Sequence, residues 1–284
     1  MNLIKLFEQF PTKESCIKFL EEKRWNGKAQ CPYCKSNKIS KHNQHHTRVN
    51  WQCQECTKSF SVTVGTIFHN THLDLRQWFY VIALMMNAKK RLSACQVARD
   101  LDMRVATVWS MMHRIRSVMK TEQKDLLSGI VEMDETYVGG KPKKSKKDED
   151  GNDKGNPKGR ATKKEAVVGI IKRNGEVRAE NVDTKNSTLI TDEYRAYSKM
   201  MNYIKHKTIN HSYEYARKEK GFNIHSSTIE SFWALLKRGI VGQFHKVSKE
   251  YLSKYLDEFE YSYNRRQLDS SIVFDDMVSR MLRA

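Results

Sequence analysis

The sequence predicts a multidomain α+β / α/β chain: an N-terminal zinc ribbon, a helical middle resembling a helix-turn-helix, and a mixed-sheet α/β body. Three observations predict it. Two Cys-x-x-Cys pairs lie near the N-terminus, residues 72–120 carry helical periodicity with no β pattern, and from residue 130 short β-branched runs alternate with helical stretches. The expected boundaries are 1–70 for the first helices and ribbon, 71–127 for the helical region and 128–284 for the body, with 141–164 as a basic mobile loop.

Residues 1–24 place Leu3, Phe7 and Phe10, then Cys16, Ile17, Phe19 and Leu20, at helical spacing, with a break at Phe10-Pro-Thr12. Cys31-Pro-Tyr-Cys34 and Cys53-Gln-Glu-Cys56 follow, separated by residues 35–52, inside the window of zinc-binding modules. Two such knuckles can set four thiolates around one structural Zn²⁺ at about 2.3 Å. The stretch from Ile39 to Trp51 and the run 60–64 would supply the strands. So small a module cannot bury enough core alone, and the metal would hold it together. His42, His45 and His46 are alternative ligands or exposed loop histidines, while Cys16 and Cys95 fit buried apolar positions. A disulfide scaffold does not suit a long basic chain of this kind.

Residues 74–89 read as a helix through Leu75, Trp78, Phe79, Ile82, Ala83 and Met86. Ser93 would cap a short helix ending near Leu101, and 105–119 a third, buried through Val108, Met111, Met112, Ile115 and Met119. Two helices joined by so short a turn suggest a helix-turn-helix, its second helix lying in the major groove. Arg104, Thr107, Ser110, His113 and Arg114 would then face DNA. A plain helical bundle is the other reading.

In the body, 130–133 reads as a strand reaching Asp134, and 136–140 turns out of it. The lysine-rich 141–164 has no large apolar residue and cannot pack. It is either a solvated loop or an arm whose Lys143, Lys144, Lys146 and Lys147 lie on phosphates. Runs 166–171 and 177–182 flank the turn signal Arg173-Asn-Gly-Glu176, 187–191 leads to Asp192, 208–211 is a further strand, and 251–265 is a long amphipathic helix. In Thr228-Ile-Glu-Ser-Phe-Trp-Ala-Leu-Leu-Lys237, Ile229, Phe232, Trp233 and Leu236 form one apolar stripe. Glu230 and Lys237 lie about two turns apart and project from nearly the same side.

Lys and Arg number 51 against 33 Asp and Glu, a formal charge of +18, which favours a polyanionic partner such as nucleic acid. No apolar run approaches the ~20 residues that span a bilayer, and no signal-peptide pattern opens the chain. A cytoplasmic protein without a membrane partner is therefore expected.

Three carboxylates, Asp134, Asp192 and Glu230, stand at strand ends and on a helix. Cutting a phosphodiester needs an activated nucleophile and neutralisation of charge building on phosphoryl oxygens. Two Mg²⁺ (or Mn²⁺) ions about 3.5–4 Å apart supply both, and they take carboxylate oxygens. Glu135 and Glu193 adjoin the aspartates and would point to the opposite strand face. Glu230 follows Ser227 by three, so a capping box competes for its oxygens.

The segments Met133-Asp-Glu-Thr-Tyr-Val-Gly-Gly140, Thr191-Asp-Glu-Tyr-Arg-Ala-Tyr197, Asn210-His-Ser212 and Thr228 to Ile240, with 251–265 after them, carry a resemblance over nearly the whole chain. It resembles the DDE-type transposases of prokaryotic insertion sequences, in the branch with an N-terminal zinc ribbon. The resemblance implies a ribonuclease-H-like body in which Asp134, Asp192 and Glu230 hold two metal ions, while Lys237 positions DNA; Arg238 beside it is a further candidate DNA contact. It further implies strand breakage by water at element ends, attack of the freed 3′-OH on target DNA, and a homodimer or larger synaptic assembly on double-stranded DNA. The chain departs from the family at Ser227, where Asn is usual, and at 183–186, which alone separates the run ending at Val182 from the next strand. A parallel crossover needs about a dozen residues. The alternative is thus an internally shortened, inactive copy acting only as a sequence-specific DNA-binding protein.

Overall fold

The computed structural model describes residues 2–42, 50–120, 127, 129–138, 164–173, 175–179, 187–192, 205–209, 217–219 and 222–283. They form two compact units, residues 1–120 with 267–284, and residues 121–266. The sequence predicts 128–284 as one body. The last helix instead belongs to the first unit, a correction whose cause is aromatic packing.

In that first unit, α1 (Leu3–Gln9) is capped by Asn2 and α2 (Lys13–Trp25) by Thr12, with Pro11 between them, so the helical break falls where the sequence sets it. The ribbon is a three-stranded antiparallel sheet of β1 (Ile39–His42), β2 (Asn50–Cys53) and β3 (Ser59–Phe60). Helix α3 (Leu75–Asn87) starts at its Asp74 cap, and α4 (Ala94–Asp100) starts at Ser93, whose side chain accepts from Gln96 N. Asp102 sits in the left-handed region in the turn leading to α5 (Val105–Arg116). Cys16 is buried as expected, but Cys95 is exposed, because α4 turns Val97 and Ala98 inward.

The terminal α8 (Ser270–Arg283) carries Val273, Phe274, Met277, Val278 and Met281 at helical spacing, all buried. Phe274 meets Phe79 edge-on at 5.6 Å and Phe10 at 6.3 Å, and Lys23 pairs with Asp275 at 2.7 Å. Burying a Phe is worth about 2–3 kcal/mol, which decides the helix's allegiance over its neighbour in sequence.

The second unit is built on a five-stranded sheet of β4 (Gly129–Val138), β5 (Glu165–Lys172), β6 (Val177–Arg178), β7 (Ser187–Asp192) and β8 (Lys205–Ile209), in the order β6-β5-β4-β7-β8. The first three strands are antiparallel neighbours, and β7 and β8 run parallel to β4, which is the ribonuclease-H-like arrangement. A separate hairpin of β9 (Arg217–Glu219) and β10 (Phe222–Ile224) precedes α6 (Ser227–Gly239), a π-helical turn (Ile240–Phe244) and α7 (Lys249–Asn264). Strand β4 continues to Val138 where the sequence predicts a turn after Asp134, because β5 pairs with it from Val131 to Val138. Asp134 is therefore within a strand and not at its end.

Strand β6 and strand β7 are not neighbours. The expected strand 177–182 ends at Arg178 on the sheet edge, and β7 lies three positions away. Only residues 179–186 separate the two strands in sequence, fewer than the dozen or so that a parallel crossover takes. The Asn264 side chain bonds both Val177 N and Val177 O, so the end of α7 occupies backbone groups of the edge strand.

The stripe predicted on α6 is the core: Ile229, Phe232, Trp233 and Leu236 are all buried with Val138, Val167, Ile171 and Phe259. Gly169, paired with Asp134, makes this seat possible. A Cβ there would lie 2.5 Å from Cη2 and Cζ2 of Trp233, so the indole rests directly on the glycine. Gly169→Ala is expected to cost about 1–3 kcal/mol, as overpacking against a rigid ring does. Urea denaturation checks this, and an unchanged midpoint would mean that α6 is not held there.

Candidate carboxylate and zinc sites

Four cysteine sulfurs converge in the ribbon. Cys31, Cys34, Cys53 and Cys56 place their Sγ atoms within 4.8 Å of one another, with Cys31–Cys56 at 3.6 Å and Cys34–Cys53 at 3.4 Å. A tetrahedron of sulfurs about 2.3 Å from zinc has edges of about 3.8 Å, so the set fits one Zn²⁺. The N–H groups of Cys56 and Glu55 hold the Cys53 thiol down to about 7. Desolvation raises Cys31, but the N–H groups of Cys34 and Tyr33 outweigh it and leave it below the ordinary thiol range. Although the Ser36 N–H favours its thiolate, desolvation and the surrounding sulfurs push Cys34 up to about 12. Amides aimed at sulfur and sulfurs crowding one another are what a cation between them resolves. The cysteines suffice without the alternative histidine ligands. The side chains of His42, His45 and His46 lie outside the described residues.

Glu132 meets the start of α6, and Asp134 follows it on the same strand. Along β4, residues 132, 134, 136 and 138 share one face. Glu132 on that face touches the first turn of α6, Val138 joins the α6 core, and Trp233 covers Gly169 beside Asp134. Asp134 is thus on the face that α6 covers, and is half-buried. Glu230 and Lys237 are exposed on α6, as is Arg238. The register β4–β7 pairs Glu132 with Ile190. Continuing it by two residues sets Asp134 beside Asp192, the last residue of β7. The Asp192 side chain lies outside the described residues. Asp134 and Glu230 offer hard carboxylate oxygens, the donors Mg²⁺ and Mn²⁺ take, so the donor chemistry fits such an ion.

Glu230 does not close a capping box with Ser227. The cap position is Ser226, and the Ser226 hydroxyl donates to Glu230 Oε1 at 2.8 Å. The amides of the first turn turn elsewhere. Thr228 N and Ile229 N donate to Glu132 Oε2 at 2.9 and 3.0 Å, and Thr228 Oγ1 donates to Glu132 Oε1 at 2.8 Å. Glu132 is fully buried, with Arg173 Nε on Oε1 at 3.0 Å. Sequence reasoning missed this residue. Its signal was an acid in the strand Ile130–Met133, two positions before Asp134 and so on the same face.

Of the residues expected to touch DNA, Arg104 is exposed at the start of α5 and Thr107 is half-buried one turn on. Ser110 is exposed as well. Arg114 is a correction. Its guanidinium donates to the carbonyls of Ile67 and His69 and lies over the Trp78 ring at 5.3 Å, and burial lowers its pKa. It pins the loop between ribbon and α3 because that loop's carbonyls need a donor. His113 is also buried, against Trp109. Lys143, Lys144, Lys146 and Lys147 lie outside the described residues, as do Glu193 and His211. Among the described residues no helix is long and apolar enough to cross a membrane.

Comparison with known proteins finds two matching families and a curated relative. A family model described as an ISXO2-like transposase domain matches residues 126–186 and 176–264, and one described as a transposase zinc-ribbon domain matches 11–59. A curated relative, "Uncharacterized protein in transposable element ISH50" of Halobacterium salinarum, is 23% identical over 274 residues, covering 88% of this chain and 90% of its own length. No solved structure matches the chain.

Proposed function

Because the chain belongs to the insertion-sequence transposases that carry an N-terminal zinc ribbon, we propose that it cuts DNA at element ends with water and joins the freed 3′-OH to target DNA, using Asp134, Asp192 and Glu230 as the metal-holding carboxylates. The observation that carries this reading is the seating of α6 on the Asp134 face of β4. The register of β4 with β7, continued by two residues, supports Asp192 as a neighbour of Asp134, and Glu230 stands in the first turns of α6. Two bound Mg²⁺ or Mn²⁺ ions would supply Lewis-acid activation of the attacking oxygen and neutralisation of the leaving one. The chain's own residues do the rest. Asp134, Asp192 and Glu230 would hold these ions through their carboxylate oxygens. Lys237, about two turns beyond Glu230 on an exposed face, draws the DNA backbone towards them. Arg238 adds a second cation beside it.

We further propose that α4 and α5 act as a helix-turn-helix, with Arg104 and Thr107 at the groove end of α5. Lys143, Lys144, Lys146 and Lys147 would be an electrostatic arm. The assembly would be a homodimer or larger, because two element ends must be handled together. A cytoplasmic location follows from a DNA substrate.

A second reading has its own observation. The family match comes in two pieces overlapping at 176–186, at the short link between β6 and β7. This favours an internally shortened copy that binds DNA without cutting it. The two readings part in one experiment with the full zinc-loaded chain and a labelled element-end duplex. Both expect binding to weaken by about 10³-fold between 50 and 200 mM salt, the response of some six neutralised phosphates. Only the first expects nicks when Mg²⁺ or Mn²⁺ is added. Binding without any nick leaves the shortened-copy reading standing.

A further inference from the structure

We propose that Glu132 is the positioning residue of the carboxylate site, fixing Glu230 against the strand that carries Asp134. The inference rests on the reading of these carboxylates as metal-holding. It starts from an oddity of burial: a charged side chain with no exposure in the middle of a sheet face. Such a charge persists only when paired and hydrogen-bonded.

Glu132 meets that condition in full. Oε2 accepts from Thr228 N at 2.9 Å and Ile229 N at 3.0 Å, and Oε1 accepts from Thr228 Oγ1 at 2.8 Å and Arg173 Nε at 3.0 Å. Arg173 is itself anchored, donating from its backbone to Ile130 O and from its guanidinium to His225 O, each at 3.0 Å. His225 Nδ1 stands 3.5 Å from Oε1. All four close partners are donors, so no oxygen is left over for a cation, and Glu132 is not itself a metal ligand. The Arg173 charge also keeps the buried carboxylate from repelling the two nearby acids.

The placement explains why an acid is needed. Glu132 precedes Asp134 by two residues on one strand face, and Ile229 N is the amide next to Glu230. One side chain therefore joins the carriers of both site carboxylates by a path of a few bonds. The α6 cap residue, Ser226, makes no side-chain cap bond of its own, so the strand supplies what a local cap would. A local Ser or Asp cap would satisfy the same amides without setting the distance from α6 to β4. The cross-element carboxylate does both.

Glu132→Gln tests this, because an amide turned either way sets its NH₂ against an N–H, those of Thr228 and Ile229 in one orientation and Arg173 Nε in the other. In the full zinc-loaded chain without DNA, two readouts are taken. Amide hydrogen exchange at Thr228 and Ile229 should quicken by about tenfold while α7 amides keep their rates. The Mn²⁺ midpoint, followed by electron paramagnetic resonance, should rise about 10–100-fold, the usual effect of removing a residue that orients ligands. Faster exchange with an unchanged Mn²⁺ midpoint would make Glu132 a helix cap and nothing more, and would overturn the proposal, as would no change in either. If Glu132→Gln does not fold, Thr228→Val removes the hydroxyl donor alone. Its Mn²⁺ midpoint should rise about threefold, and a midpoint equal to wild type overturns the idea. A wild-type chain that binds no Mn²⁺ instead overturns the metal-site reading beneath it, so the two failures are told apart.

Discussion

Asp134→Ala is expected to remove metal-dependent strand cleavage by about 10³-fold or more while leaving duplex binding intact. An ion's charge stabilisation is worth several kcal/mol at the transition state, and each 1.4 kcal/mol is tenfold in rate. The residue is half-buried on the face that α6 covers, its neighbour Gly169 lies under Trp233, and the apolar core around it does not include its side chain. The fold should therefore survive the loss of the carboxylate. Binding should hold or tighten slightly in metal-free buffer, because a negative charge facing phosphate is gone. Cleavage of labelled duplex and fluorescence anisotropy, read on the same preparation, check both halves. A variant that cuts as fast as wild type would remove Asp134 from the mechanism. A variant that neither cuts nor binds would make its role structural.

The second large effect belongs to the zinc. Cys53→Ser, or chelation of the wild type, is expected to unfold the ribbon and leave the rest of the chain helical. Among the described residues, the ribbon's own buried core is Cys31, Cys53 and Phe60, with Trp25, Ile39, Trp51, Cys56 and Val64 packed around them. A few such side chains contribute about 1.5–3 kcal/mol each, against backbone entropy of about 1–2 kcal/mol for every ordered residue. Structural zinc in small modules supplies about 10–16 kcal/mol, so metal binding and folding are one event. Trp25 and Trp51 pack edge to face at 5.7 Å, and Trp51 Nε1 donates to Glu21 at 2.7 Å. Near-ultraviolet circular dichroism should lose that tryptophan signal on chelation while the far-ultraviolet helical signal largely persists. Metal analysis should find one zinc per wild-type chain and none in Cys53→Ser. Zinc should also leave as pH falls, since protons compete for the thiolates. A variant without zinc but with an intact tryptophan signal would show that the ribbon folds on its apolar core alone.

Much of the framework was legible in the chain. The Cys-x-x-Cys spacing announced the sulfur cluster, Ser93 caps its helix as expected, and the stripe Ile229-Phe232-Trp233-Leu236 is buried throughout. These are local signals, since a knuckle, a cap or a turn of helix involves residues a few positions apart. The misses share the opposite property. Arg114 read as a DNA contact because its helix position is polar, yet its acceptors are carbonyls at 67 and 69. Glu132 passed unnoticed because its donors lie at 173 and 228. Helix α8 read as part of the body because chain order gave no sign of Phe10 and Phe79.

By itself, then, the sequence determined a cysteine set able to take zinc, a buried amphipathic helix presenting Glu230 and Lys237, and a strongly basic chain suited to a polyanion. Periodicity, ligand spacing and net charge are properties of residues near one another or of the chain summed. Only the tertiary structure decided that β7 runs beside β4 and not beside β6, that α6 rests on Gly169, and that a buried acid from β4 caps that helix. Each of these depends on which distant groups exclude water together, and a pattern along the chain carries no record of partners it has not yet met in space.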